Sequence, residues 1–452
     1  MMVDYLIGTV AVVVLLLGIF LPRYKFVWGV YAIFASVSPA PVLLAASPSA
    51  LFAGATLFRT FSTAVRMLSQ PVMLALFALT VTYALSAAWS PRPLAALGSS
   101  LTVLCIVGAV SLATASIGDV EPKDLFALTA IVTAPIAAIQ SISTIVFRFD
   151  LSLKDAYLHS SIPTLLLGAE GRDLFGTMGN NVLDPLKSGG VLFVNGNKAS
   201  MVMAVWALIY LALCVRRRSF PAGAMAALCL TGAIATNSKT AMILAFSMIP
   251  VFLILPTVIR RQRHSASSVL GLVSLLAVGL GLALIASKLS EYLVGLDESA
   301  SARDRLWAAA AGYFQESPWL GLGAGGWSER WARDASGYGL PMLPPHNMVI
   351  AAWASAGAGA ALLILAIIGM VGVTYIRRIR RAELKRDAWA LSFELAAFTW
   401  MIAHSMYDNT DFYGTPQTIP FAALMIWRCY SFRKDASRST DFEKTRKATV
   451  FQ

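Results

Sequence analysis

Charge is scarce in this sequence. Of 452 residues, 36 are Lys or Arg and 24 are Asp or Glu, so charged residues make up 13 %. A soluble domain carries roughly 25 %, and a shortfall of that size excludes an ordinary pair of soluble domains. Cysteine is sparse as well. Cys105, Cys214, Cys229 and Cys429 all lie inside apolar stretches, and none are spaced as metal ligands. A disulfide scaffold and a zinc module are thereby excluded, no metal or cofactor is expected, and the thiols read as small buried hydrophobes. Basic stripes and nucleic-acid motifs are missing too, so the net charge of +12 does not indicate a nucleic-acid partner. No small-residue cleavage site follows the first apolar block, which is expected to be a retained helix. Internal repeats and low-complexity tracts are absent.

What the chain has is apolar sequence. Hydrophobic residues make up 57 % and the mean hydropathy is +0.68. They fall in blocks over residues 5–21, 26–47, 71–89, 100–117, 124–148, 196–215, 220–236, 240–259, 268–287, 347–374, 388–405 and 416–430. Most are long enough to cross a hydrocarbon core. The pattern predicts an all-α polytopic membrane protein of about twelve transmembrane helices, with residues 1–452 forming one integral membrane domain. Residues 48–70 read as a cytoplasmic linker or a hidden further span.

The basic residues set the orientation. Arg216–Arg218, Arg260–Arg263, the 377–386 linker and the tail at 431–452 hold eighteen of the 36 cations. On this span list all four fall on one side, which the preference for basic loops inside makes cytoplasmic. Two long connections, 149–195 and 288–346, then face outward, and connections of that length tend to be functional. The second carries Trp307, Trp319, Trp327 and Trp331, with five basic residues against seven acidic. Such a segment is expected to fold as interfacial helices capping the bundle.

Several residues in these outer segments suit chemistry on a phosphorylated substrate. Arg303 and Trp307 are four apart and share a helix face, whereas Arg305, a candidate for binding a diphosphate or a glycan, lies about 200° away from Arg303. A guanidinium is permanently charged and grips phosphate with two hydrogen bonds; the competing reading is a helix whose arginines meet lipid headgroups. Pro344-Pro345-His346-Asn347 leads into a span, placing His346 in the first helical turn, where it is either a base near neutral pH or a polar cap. Lys239, in the tight turn Asn237-Ser238-Lys239-Thr240, supplies a second cation, or simply reaches for water. Asn195, Asn197 and Lys198 open another span and suit sugar hydroxyls as well as helix capping. The Gly321–Gly326 stretch formally matches G-x-G-x-x-G, but no strand precedes it. Its glycines are expected to let the loop pack closely on the bundle. His404, Asp408 and Asp411 flank the last outer loop and are positioned to line the same chamber.

The order of these pieces carries a resemblance. Arg303-Asp304-Arg305-Leu306-Trp307, then Ser317-Pro318-Trp319-Leu320-Gly321-Leu322-Gly323, then Pro345-His346-Asn347 resembles the O-antigen ligase and O-antigen polymerase superfamily. Asn195-Gly196-Asn197, Ser238-Lys239-Thr240 and Trp89-Ser90-Pro91 with Pro93 match its upstream segments. The resemblance covers roughly residues 85–420. It implies a multi-pass protein of the bacterial inner membrane, with an active site facing the periplasm. The donor is expected to be an undecaprenyl-diphosphate-linked oligosaccharide and the acceptor a second lipid-linked glycan or lipid A core, with membrane lipids as further partners. Arg303 would match the family arginine and His346 the histidine of the His-Asn pair. Lys239 stands where the family usually has arginine, keeping the charge but losing the bidentate fork.

The chemistry is consistent with this. The lipid diphosphate is itself a leaving group, so the enzyme needs cations on the diphosphate, a base for the acceptor hydroxyl and a cavity open to the bilayer. Metal-independent, inverting transfer is the expectation, with polymerase preferred over ligase. A non-catalytic lipid-glycan transporter is the other class. The absence of buried charges from the spans and the large aromatic loop weigh against it.

Overall fold

The computed structural model describes residues 23–37, 48–116, 122–167, 174–175, 184–261, 297–408, 410 and 412–430, and every regular element among them is helical. In chain order these are α1 (Tyr24–Ser36), α2 (Pro48–Met67), α3 (Pro71–Ser86), α4 (Pro93–Ser116), α5 (Pro122–Phe149), α6 (Leu151–Leu158), α7 (Ile162–Leu167) and α8 (Gly196–Arg217). There follow α9 (Phe220–Ala235), α10 (Lys239–Arg261), α11 (Asp297–Glu316), α12 (Gly326–Asp334), α13 (Met348–Ala356), α14 (Ala358–Arg381) and α15 (Lys385–Ser405), and finally α16 (Ile419–Tyr430).

Among the described residues five helices are long and apolar enough to cross a membrane: most of α5 and α10, and the whole of α4, α8 and α14. The pair α2 and α3, bent by 119° at its break, passes the same test together. The described residues are therefore those of a helical membrane protein. Of the twelve expected spans, blocks 5–21 and 268–287 lie outside the described residues, as does the tail 431–452. Residues 48–67, which the sequence left between linker and span, form the 20-residue helix α2.

Lipid tails are as apolar as leucine, so these helices associate through close packing and buried hydrogen bonds rather than escape from water. Small residues mark the closest approaches. A Cβ at Gly108 of α4 would fall on the Ala53 carbonyl of α2, and one at Gly232 of α9 would meet Met203 Sδ at 2.8 Å and Ser141 Cα at 3.0 Å. Irregular backbone buried in the bundle needs internal partners. Gln140 of α5 supplies them ahead of α8, accepting from the Leu192 amide (2.9 Å) and donating to the Gly189 carbonyl (2.8 Å).

Two expectations are corrected. The single span at 347–374 is broken: α13 ends at Ala356, and Gly357 sits at φ 84° before α14 begins. Nor are the spans free of buried charge. Glu394, midway along α15, is 1 % exposed. It accepts from Arg216 of α8 (2.9 Å), Arg428 of α16 (3.1 Å) and the Tyr375 hydroxyl of α14 (3.1 Å). In sequence both arginines look like helix-end cations, and only folding turns them inward onto one carboxylate. The cluster ties four helices together at the arginine-rich end.

Candidate active site at the His346 end of the bundle

The site lies at the end opposite that cluster, and its first requirement is that the segment 317–326 be docked. Trp353 Nε1 and the Ala358 amide both donate to the Pro318 carbonyl (3.1 and 3.2 Å), stitching the segment into the break between α13 and α14. The Leu322 amide donates to the Ala354 carbonyl (2.8 Å). On its other side the segment is held by the 89–92 turn. Trp89 Nε1 donates to the Leu320 carbonyl (2.9 Å), and Ser90 Oγ (2.7 Å) and the Arg92 amide (3.1 Å) both donate to the Ala324 carbonyl. Gly321 and Gly323 hold φ 68° and 77°, where glycine alone is unstrained. A Cβ at Gly323 would stand 2.7 Å from Ser90 Cα. These glycines serve backbone packing and form no dinucleotide loop.

With that segment fixed, α11 carries Arg303 and Trp307 over the end of the bundle. The Trp307 ring packs against Tyr407 at 5.9 Å between centroids. The turn after α15 then meets His346: Asp408 Oδ1 lies 3.7 Å from His346 Nδ1, and the Asn347 side chain donates to the Met406 carbonyl at 3.4 Å. His404, fully buried, stands between this group and α8, with Nδ1 3.2 Å from Thr410 Oγ1 and Nε2 3.5 Å from Ser200 Oγ. It is within electrostatic reach of both Asp408 and Arg303. At the start of α8, Gly196 sits so close to the turn after α9 that a Cβ there would lie 3.3 Å from the Thr236 carbonyl. That turn carries Lys239. One end of the bundle therefore gathers α11, His346, the 404–410 turn, the start of α8 and the start of α10.

The polar atoms at this end are incompletely satisfied. Arg303 Nε, Trp307 Nε1 and His346 Nδ1 are buried without a hydrogen-bond partner among the described residues. Buried polar groups nearly always find a partner, and these three lie on adjacent elements. Beside them opens an apolar cleft of ≈ 770 Å³ between α11 and the α13–α14 pair. Trp307, Ala311 and Phe314 form one wall, and Val349, Trp353 and Leu362 contribute to the other. Of the three residues with unsatisfied atoms, Trp307 lines this cleft directly.

Residues 224–365, from α9 into α14, match the family described as O-antigen ligase. The match supports the resemblance to the O-antigen ligase/polymerase superfamily over that stretch. No curated protein matches it. Together with its apolar helices, the match makes it a multi-pass bacterial membrane protein.

In and around the matched stretch the expected site residues have separate fates. Arg303 and His346 both border the 404–410 turn, Arg303 within electrostatic reach of His404 and His346 opposite Asp408. His346 is not in the first helical turn, which corrects the sequence reading. It precedes the cap residue at φ 47°, and it is Asn347 that caps α13, accepting from the amides of Val349 (2.9 Å) and Ile350 (3.1 Å). Capping is therefore not the work of His346. Arg305 points elsewhere, donating to the Tyr338 carbonyl (2.8 Å) and pinning α11 to the 337–340 turn. Lys239 opens α10, half-buried. Upstream of the matched stretch, Asn195 caps α8 by accepting from the Asn197 amide (2.8 Å), the Asn197 carbonyl accepts from Ser200 (2.7 Å), and Lys198 lies half-buried on the first turn.

Sequence reasoning gave too little weight to Asp408, which is 4 % exposed and faces His346. Its only linear signal is an acidic residue just past an apolar block. The pairing depends on the turn after α15 meeting the residues just ahead of α13, which no spacing reveals. Asp411 lies outside the described residues.

Proposed function

We propose that the protein transfers glycan from an undecaprenyl-diphosphate donor on the periplasmic face of the inner membrane, in surface polysaccharide biosynthesis. The observation that carries this reading is the trio of unsatisfied polar atoms, Arg303 Nε, Trp307 Nε1 and His346 Nδ1, beside the α11–α14 cleft that Trp307 lines. The cleft suits a polyprenyl chain and the trio suits a diphosphate beside an acceptor hydroxyl.

In the proposed step Arg303 grips the donor diphosphate, with Lys239 as a second cation. Asp408, 3.7 Å from His346 Nδ1, closes on that nitrogen when the donor binds and orients the ring, leaving Nε2 to accept a proton. As the acceptor oxygen attacks the anomeric carbon, its proton passes to Nε2. The bond from that carbon to the diphosphate breaks, and the electron pair leaves with the diphosphate oxygen. A single displacement inverts the anomeric centre. Charge developing on the leaving group meets fixed cations at an apolar boundary, where such interactions are worth more than in water. No step calls on a bound metal.

The acceptor is proposed to be a second lipid-linked glycan, making the protein a polymerase. Ligation to lipid A core is the second reading, favoured by the description of the matched family. Gel analysis of surface polysaccharide and lipid-linked intermediates in a deletion strain tests both. Loss of long lipid-linked chains supports the polymerase. Normal lipid-linked chains with bare lipid A core support the ligase, and an unchanged profile contradicts glycan transfer altogether.

A further inference from the structure

A second cleft, of ≈ 710 Å³, lies at the arginine-rich end, remote from His346. One wall is a stripe along α14 at helical spacing: Ala366, Gly369, Met370, Val373 and Arg377. Opposite stand the start of α3, at Gln70 to Val72, and Cys429 of α16. Ala366 and Arg377 are eleven residues apart, about 16 Å at 1.5 Å per residue. That is about the depth of one leaflet, half of a hydrocarbon core about 30 Å thick. The apolar part of the stripe is bare: a Cβ at Gly369 would meet nothing within 4 Å.

The cleft ends in positive charge. Arg377 is exposed on its rim. Its neighbour Arg378 turns away and donates to the Arg428 carbonyl (2.9 Å). Arg380 and Arg381 add cations to the last turn of the same helix. Facing them, α3 begins with Gln70 making no side-chain cap bond, so the positive end of its dipole points the same way. An apolar groove one leaflet deep, closed at the headgroup level by a guanidinium, has the shape and charge of a phospholipid.

We propose that this cleft seats one anionic phospholipid of the cytoplasmic leaflet, its phosphate on Arg377 and one acyl chain along the α14 stripe. A zwitterionic lipid fits the groove equally, but its ammonium falls among the arginines of α14 and is repelled. The site is independent of the transfer chemistry.

Native mass spectrometry of the full-length protein, released from nanodiscs of equimolar phosphatidylglycerol and phosphatidylethanolamine, tests this. Wild type is expected to retain phosphatidylglycerol in preference. One basic residue near a membrane surface contributes about 1 kcal/mol towards anionic lipid, so Arg377→Gln should cut the preference about fivefold. Arg377→Lys should keep most of it. Gly369→Leu fills the groove without changing charge and should remove the retained lipid, while the protein elutes as wild type on size exclusion. Equal retention of the two lipids by wild type would overturn the proposal, and so would wild-type adducts on both Arg377→Gln and Gly369→Leu.

Discussion

Replacing Gly321 with alanine tests whether the docking of segment 317–326 holds the site together. The new Cβ would fall on the Trp353 carbonyl oxygen and lie 2.8 Å from the Gly357 amide nitrogen. Both are backbone atoms, so no side chain can swing aside. At φ 68° an L-residue adds roughly 1–2 kcal/mol of strain. Relieving the clash means withdrawing the segment from α13 and α14. The three hydrogen bonds that seat it there, Leu322 to Ala354, Ala358 to Pro318 and Trp353 to Pro318, are worth about 1 kcal/mol each. The docked state therefore loses on the order of 4 kcal/mol, enough to empty it if it is only marginally stable. Gly312 provides the control, because a Cβ there meets nothing within 4 Å and alanine in a helix is favourable by up to about 1 kcal/mol. Gly321→Ala should lose glycan transfer in a complementation assay at normal membrane abundance, and should become sensitive to protease between residues 317 and 326. Gly312→Ala should match wild type in both. Full activity and an unchanged digest for Gly321→Ala would refute the docking argument.

Arg303→Ala should abolish transfer while Arg305→Ala keeps much of it, because only the second guanidinium is committed to a carbonyl of its own loop. Equal loss in both at equal abundance would remove the distinction between the two faces of α11. Asp408→Asn should slow transfer by about tenfold or more, a share of the 10²–10⁴ that general-base catalysis typically supplies. A purified variant with the wild-type rate would show that Asp408 does not orient His346. Glu394→Gln takes the negative charge from between Arg216 and the buried Arg428, a loss of about 3–5 kcal/mol. It should lower the thermal midpoint in detergent, and an unmoved midpoint would mean that the cluster holds nothing together.

Much of the fold is legible because hydrocarbon imposes length and polarity on every crossing helix. Blocks such as 196–215 and 240–259 correspond to α8 and α10 within a few residues. The break at Gly357 is hidden, since one glycine in an apolar run reads equally as a tolerated residue. The amide just past the break, that of Ala358, finds its acceptor in the Pro318 carbonyl, some forty positions upstream. Glu394 is missed for a related reason: its arginines come from α8 and α16, and the sequence shows each only as the end of a helix. At the site, Arg303 is separable from Arg305 by helical phase alone. The turn at 345–347 is not, because Pro-Pro-His-Asn fits a cap at either His346 or Asn347. Only the φ of 47° at His346 and the two amides bonded to Asn347 decide it.

The central claim is that His346 acts as the base, and asparagine at that position tests it most directly. Asparagine is among the few residues that tolerate a left-handed backbone, and Asn347 already caps α13, so His346→Asn leaves the local structure intact while removing the imidazole. The measurement is glycan transfer by purified protein from a lipid-diphosphate donor, followed as product formed per enzyme. The account predicts a rate lower by about 10²-fold or more, with donor still bound. An asparagine variant that transfers glycan within a fewfold of the wild-type rate would contradict it.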